Sequence, residues 1–182
     1  MYKVIIGVLI ATAVVIIGFL VIDQKFNNKT ATANTTETSD GKNSATSFTI
    51  EGEVNKPGTY SISGDTVTMA DLINASGGAT NNADPLAYFG DAELKGGMTY
   101  YIASKYDNND VCNSSAITKV NINADSADTL TTINGITSSI ASSIVSYRTS
   151  NGAFKTVEQL TEVYGIGNAT YRKVRNFVIL HA

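Results

Sequence analysis

The chain has 182 residues, formal net charge −3 and 43% hydrophobic residues, enough for one or two small domains. One cysteine excludes an internal disulfide framework, and one histidine at the penultimate position leaves no metal-ligand spacing. No residue set points to catalysis, so the expected catalytic residues, metal ligands and cofactors are none, and the chain reads as a binding protein.

Residues Val4 to Ile22 form an uncharged run of nineteen. At about 1.5 Å per residue it spans roughly 28 Å, close to the hydrocarbon thickness of a bilayer. The run is longer than the apolar region of a cleaved signal peptide, and Ala31-Thr32-Ala33 lies far beyond its end. The expectation is a single-pass anchor over residues 1–22, with a removed signal peptide as the alternative. Lys3 before the run favours an inside N-terminus and places the rest outside the cell. Residues 23–47 are rich in Asn, Thr, Ser and Lys, cannot offset their ordering entropy, and read as a flexible linker.

From Phe48 the pattern changes. Phe48-Thr49-Ile50-Glu51-Gly52-Glu53-Val54 alternates as a half-buried strand, Asn55-Lys56-Pro57-Gly58 is a turn, and Thr59 to Ile62 returns as the second strand. Glu51 and Glu53 read as a solvated edge face. A helix over 68–75 takes Thr68 as its N-cap and ends at Ser76-Gly77-Gly78. Met98 to Ile102 supplies a late strand after Lys95-Gly96-Gly97. Hairpin, helix and late strand over 48–104 predict a small β-grasp-like domain. The stretches GEVNKPGTY, ASGG and GGMTYYI resemble the SLBB family of soluble-ligand-binding β-grasp domains. Residues 105–119, with Cys112 among Asn and Asp, read as a second linker; Cys112 is an exposed thiol or, alternatively, an intermolecular bridge.

The last sixty residues carry the sharper signal. Leu130 to Thr137 (LTTINGIT) is echoed by Leu160 to Gly167 (LTEVYGIG). Each reads as short helix, glycine hairpin and second helix, with the following helices expected over about 138–148 and 169–177. Glycine lets a backbone approach a ligand closely, and the first amides of the next helix have no intrahelical acceptor. Such loops suit phosphate oxygens. Ile136 and Ile166 are expected to pin the loops inward. Ile140, Ile144 and Tyr147, and Tyr171, Val174 and Phe177 or Val178, read as core stripes.

Charge agrees with this division. Up to Ser115 there are twelve acidic against seven basic residues, a balance of −5; from Ala116 onward six basic against four acidic residues give +2. Arg172, Lys173 and Arg175 crowd beside the second hairpin. The expected DNA-contact set is Gly135, Ile136, Thr137, Gly165, Ile166, Gly167 and Asn168, with the cations Arg148, Arg172, Lys173 and Arg175. His181 is expected to be frayed and solvated.

VNINADSADTL, INGITSSIASSIVSYR, NGAFKTVEQL and YGIGNATYRKV together resemble the tandem helix-hairpin-helix domain of ComEA-type competence DNA receptors, and the domain order matches the Gram-positive members. The resemblance implies an α+β protein: an N-terminal transmembrane helix, an SLBB domain, and an all-α tandem helix-hairpin-helix domain over 120–182. It implies a cell-membrane receptor that binds double-stranded DNA without sequence preference for uptake in natural transformation. Implied partners are duplex DNA, the membrane, further DNA-uptake machinery and, through the SLBB domain, another copy of the chain. Thr137 stands where the family usually has glycine, and Asn134 where proline is common. The alternative is a surface β-grasp module for ligand binding or self-assembly, with DNA binding secondary.

Overall fold

The computed structural model describes residues 45–107 and 115–182. The expected anchor, nearly all of the first linker, and Cys112 lie outside the described residues. No helix among the described residues is long and apolar enough to cross a membrane.

The first module is built on β1 (Thr46–Gly52) and β2 (Gly58–Ile62), antiparallel with Phe48 opposite Tyr60. Helix α1 (Met69–Ala75) begins where expected. Thr68 Oγ1 accepts from the Asp71 amide at 3.3 Å, and the Asp71 carboxylate accepts from the Thr68 amide at 3.0 Å. It ends in the expected glycine pair, both at positive φ, with the Gly78 amide donating back to Ile73 O. A short 3-10 turn (Pro85–Ala87) leads on to β3 (Thr99–Ile102), which runs parallel to β1 on its other side. Phe48, Ile50, Leu72, Tyr100 and Ile102 close the core between sheet and helix.

The second module runs through β4 (Val120–Asn121), α2 (Ala127–Leu130), α3 (Ser138–Asn151), a 3-10 helix (Val157–Glu162), α4 (Asn168–Val174) and β5 (Val178–Ile179). It is not all-helical: β4 and β5 pair in parallel and bring the two ends of the module together. Asn123 locks that closure. Its Nδ2 donates to Phe154 O and Leu180 O at 3.0 and 2.8 Å, and its Oδ1 accepts from the Phe154 amide at 2.8 Å.

The two modules are docked, which the linker composition did not foretell. Strand β3 has a free outer edge, and such an edge needs covering. The second module supplies the cover. Glu158 Oε1 accepts from the Tyr101 amide at 2.8 Å, and Asn176 Oδ1 accepts from the Ser104 amide at 2.7 Å. The Arg175 guanidinium stacks 3.8 Å from the Tyr101 ring centroid and pairs with Glu51 at 3.1 Å. Lys119 and Asp84 form a buried ion pair at 2.7 Å. Part of the expected linker is itself ordered, with Tyr106 bridged to Ala116 and the Ile117 amide donating to Lys105 O.

Three expectations are corrected in whole or in part. Glu51 keeps an exposed side chain, as expected, but it pairs with Arg175 and lies on the middle strand of the sheet, not at an edge. Glu53 is not solvated: its carboxylate accepts from Thr80 Oγ1, Ser104 Oγ and Asn82 Nδ2 at 2.6, 2.9 and 3.2 Å. His181 is not frayed, because its ring stacks on Phe89 at 4.6 Å and its Nε2 lies 3.2 Å from Tyr88 O.

Candidate nucleic-acid interface

The second module repeats itself with an offset of thirty residues. Leu130, Ile133, Ile136 and Ile144 are buried, and so are Leu160, Val163, Ile166 and Val174. Both hairpins close in the same way. The Ile136 amide donates to Ile133 O and the Ile166 amide to Val163 O, both at 3.0 Å. The third turn residue has positive φ in each, +107° at Gly135 and +90° at Gly165, which is what a type II turn demands and glycine supplies. The units before the hairpins differ: α2 is a single α-helical turn, whereas its counterpart over Val157–Glu162 is a 3-10 helix.

The hairpins are reciprocal. A Cβ built on Gly135 would lie 3.2 Å from Val174 Cγ1 and 3.7 Å from Lys173 Cβ, both on α4. A Cβ built on Gly165 would lie 3.3 Å from Ile140 Cγ1, on α3. Each loop thus presses on the helix that follows the other loop. An open groove of about 670 Å³ runs along α3, walled by Ser139, Ser142, Ser146 and Tyr147 and reaching Tyr164 on the second hairpin. The exit of one hairpin and the tip of the other border one concavity.

Beyond each turn the backbone opens to solvent. Thr137 and Gly167 have nearly the same extended conformation, φ −80° ψ 165° and φ −89° ψ 175°. Among the described residues, the amides of Thr137, Ser138 and Ser139, and of Gly167, Asn168 and Ala169, have no protein acceptor. Thr137 Oγ1 caps α3 by accepting from the Ile140 amide at 3.3 Å. Helix α3 has fourteen residues and α4 seven, so α4 adds little macrodipole and the second loop works through its own amides.

The expected contact residues fall into two groups. Gly135, Thr137, Gly165, Gly167 and Asn168 line the hairpins, and Arg172 and Lys173 are exposed on α4. Lys173 sits beside the first hairpin, through the Gly135 contact, although it is sequence-adjacent to the second. Ile136 and Ile166 are buried and their amides are spent closing the turns. Arg148 donates to Ile122 O and Asp125 O, both at 2.7 Å, and braces α3 to the segment after β4. Arg175 is held at the junction with the first module. These four residues have internal work: Ile136 and Ile166 point inward as the sequence suggests, whereas sequence spacing gave no sign of it for Arg148 and Arg175, whose partners lie far away in the chain.

Two carboxylates near the second hairpin differ. Glu158 is only 3% exposed; burial raises its pKa, while hydrogen bonds from the Tyr101 amide and the Tyr171 hydroxyl oppose the rise. Glu162 is exposed and accepts from the Tyr147 hydroxyl at 2.6 Å, which holds its pKa down and pushes Tyr147 up to about 12. Among the described residues no cluster of His, Cys, Asp and Glu could hold a metal ion.

The helix-hairpin-helix motif family matches residues 115–179, and the SLBB domain family matches residues 46–102. ComE operon protein 1 of Bacillus subtilis (strain 168) is 31% identical over 163 residues, covering 82% of this chain and 78% of that protein. An uncharacterized protein of Haemophilus influenzae is 44% identical over 62 residues, 34% of this chain and 55% of that protein.

Proposed function

The chain belongs to the ComEA-type family of competence proteins, and from that premise we propose that it is a surface receptor that grips double-stranded DNA without reading its sequence, for uptake in natural transformation. The observation that carries the proposal is the reciprocal seating of Gly135 against α4 and Gly165 against α3, with exposed, unpaired amides just beyond each turn. Amides and lysine or arginine contacts fix a protein on phosphates but carry no base information. The contact set is Gly135, Thr137, Gly165, Gly167, Asn168, Arg172 and Lys173. Residues 4–22 anchor the chain in the cell membrane, with the bulk of the chain outside, where it hands DNA to further uptake machinery. Many anchored copies on one long duplex multiply a modest individual affinity. Self-association runs through the first module, whose β2 edge carries no strand beyond it among the described residues.

The test is a binding titration of the full chain on a short duplex of arbitrary sequence across a range of salt. Holding roughly four to six phosphates gives a slope of log affinity against log salt of about −4 to −5. Lys173→Glu weakens binding and flattens that slope by about 1 or more. Affinity that does not change with salt refutes the proposal.

A further inference from the structure

The two hairpins match in backbone but not in what surrounds them. Gly135 of the first faces Val174 and, next to it, the Cβ of Lys173; Gly165 of the second faces Ile140 alone among the described residues, with no charged neighbour. At the corner of the first turn stands Asn134, and at the same corner of the second stands Tyr164. Tyr164 is 87% exposed, while the next most exposed large hydrophobic residues among those described, Tyr106 and Phe177, reach 39%. A single exposed tyrosine carries no message by itself. Its place does: it is the residue before Gly165, three and four before the unpaired Gly167 and Asn168 amides, and it walls the groove that runs along α3 from the exit of the first hairpin.

If those amides hold a phosphate, Tyr164 is the exposed aromatic side chain on the same hairpin, one turn away along the chain. The bases of a duplex are hidden in the stack, so the apolar surface nearest a phosphate is the C–H face of the deoxyribose. Resting on the receptor reading above, we propose that Tyr164 packs on the deoxyribose of the strand held by the second hairpin. The two loops then grip by different physics. The first draws on the charge of Lys173, and the second on burial of an aromatic ring. The contact is indifferent to sequence, because every nucleotide presents the same sugar.

The test is again made on the full chain and a short duplex across salt. Tyr164 is 87% exposed, so Tyr164→Ala should leave the unfolding temperature nearly unchanged. Loss of the ring should weaken binding about tenfold at every salt concentration, giving a line parallel to the original, because burial releases no counterions. Tyr164→Leu should recover most of the loss. The chain has no tryptophan, so Tyr164→Trp introduces a sole tryptophan, and its emission, excited beyond the tyrosine absorption band, should change with the same midpoint as binding. Binding within about twofold of wild type for Tyr164→Ala, or a tryptophan signal unmoved at saturating DNA, overturns the proposal. A Tyr164→Ala line of different slope also overturns it, since the residue would then act on the phosphate contacts. A wild-type chain that binds with no salt dependence sinks the receptor reading instead, which separates the two failures.

Discussion

Replacing Gly167 with threonine would test whether the two hairpins share one backbone. Thr137 and Gly167 occupy equivalent places with dihedral angles within about 10° of each other, both in the extended region open to any residue. A Cβ at Gly167 meets no atom within 4 Å. Removing glycine from the unfolded ensemble at a compatible site adds about 0.4–1 kcal/mol, and a threonine hydroxyl at the N-cap is worth a few tenths more than glycine. The sum is about 0.5–1.3 kcal/mol. At roughly 2–4 °C per kcal/mol for a chain of this size, the unfolding temperature should rise by about 1–5 °C in a calorimetric or circular-dichroism melt. Gly165→Ala is the counterpart. At φ +90° and 3.3 Å from Ile140 Cγ1, it should lose about 1–3 kcal/mol. A fall in melting temperature for Gly167→Thr, or no fall for Gly165→Ala, would refute the shared geometry.

Arg148→Met removes two charge-assisted donors to carbonyls and should destabilise the chain by about 2 kcal/mol. The slope of DNA affinity against salt should stay as in wild type, in contrast to Lys173→Glu; an Arg148→Met titration with a shallower slope would return Arg148 to the interface. Glu158 is raised in the folded state by burial, so its contribution is full below the ordinary glutamate range and is lost as pH climbs through the raised folded value. Denaturant melts should show stability falling as pH rises from about 4.5, and Glu158→Gln should reduce that fall. An equal fall in both proteins would remove Glu158 as its source. Asn176→Ala strips the acceptor from the Ser104 amide and should cost about 1–3 kcal/mol; a melting temperature equal to wild type would contradict the edge-capping role.

What could be read in the sequence was what is local. The Pro57-Gly58 turn, the Thr68 cap with its glycine stop, and the doubled hairpin all follow from residues within a turn or two of one another. The rest depends on pairs far apart in the chain. Glu51 and Glu53 alternate as an exposed strand face would, and nothing nearby reveals that Arg175, Thr80 and Ser104 meet them. Arg148 and Arg175 look like the other cations of the basic segment, since composition counts charge without saying where a guanidinium is anchored. The pairing of β4 with β5 spans almost sixty residues and involves two residues on each side, too few to leave a period. Lys173 neighbours the second hairpin in sequence, while the reciprocal packing brings its Cβ beside Gly135 of the first.

The covered edge of β3 has a mechanical meaning. On the reading proposed above, a duplex pulled away from the hairpins would load the junction between the modules: the Glu158 and Asn176 hydrogen bonds to the sheet and, beside them, the Arg175–Glu51 and Lys119–Asp84 pairs. Tension on such a polymer would be shared among these contacts, and the first module would feel it through the bracket they form together.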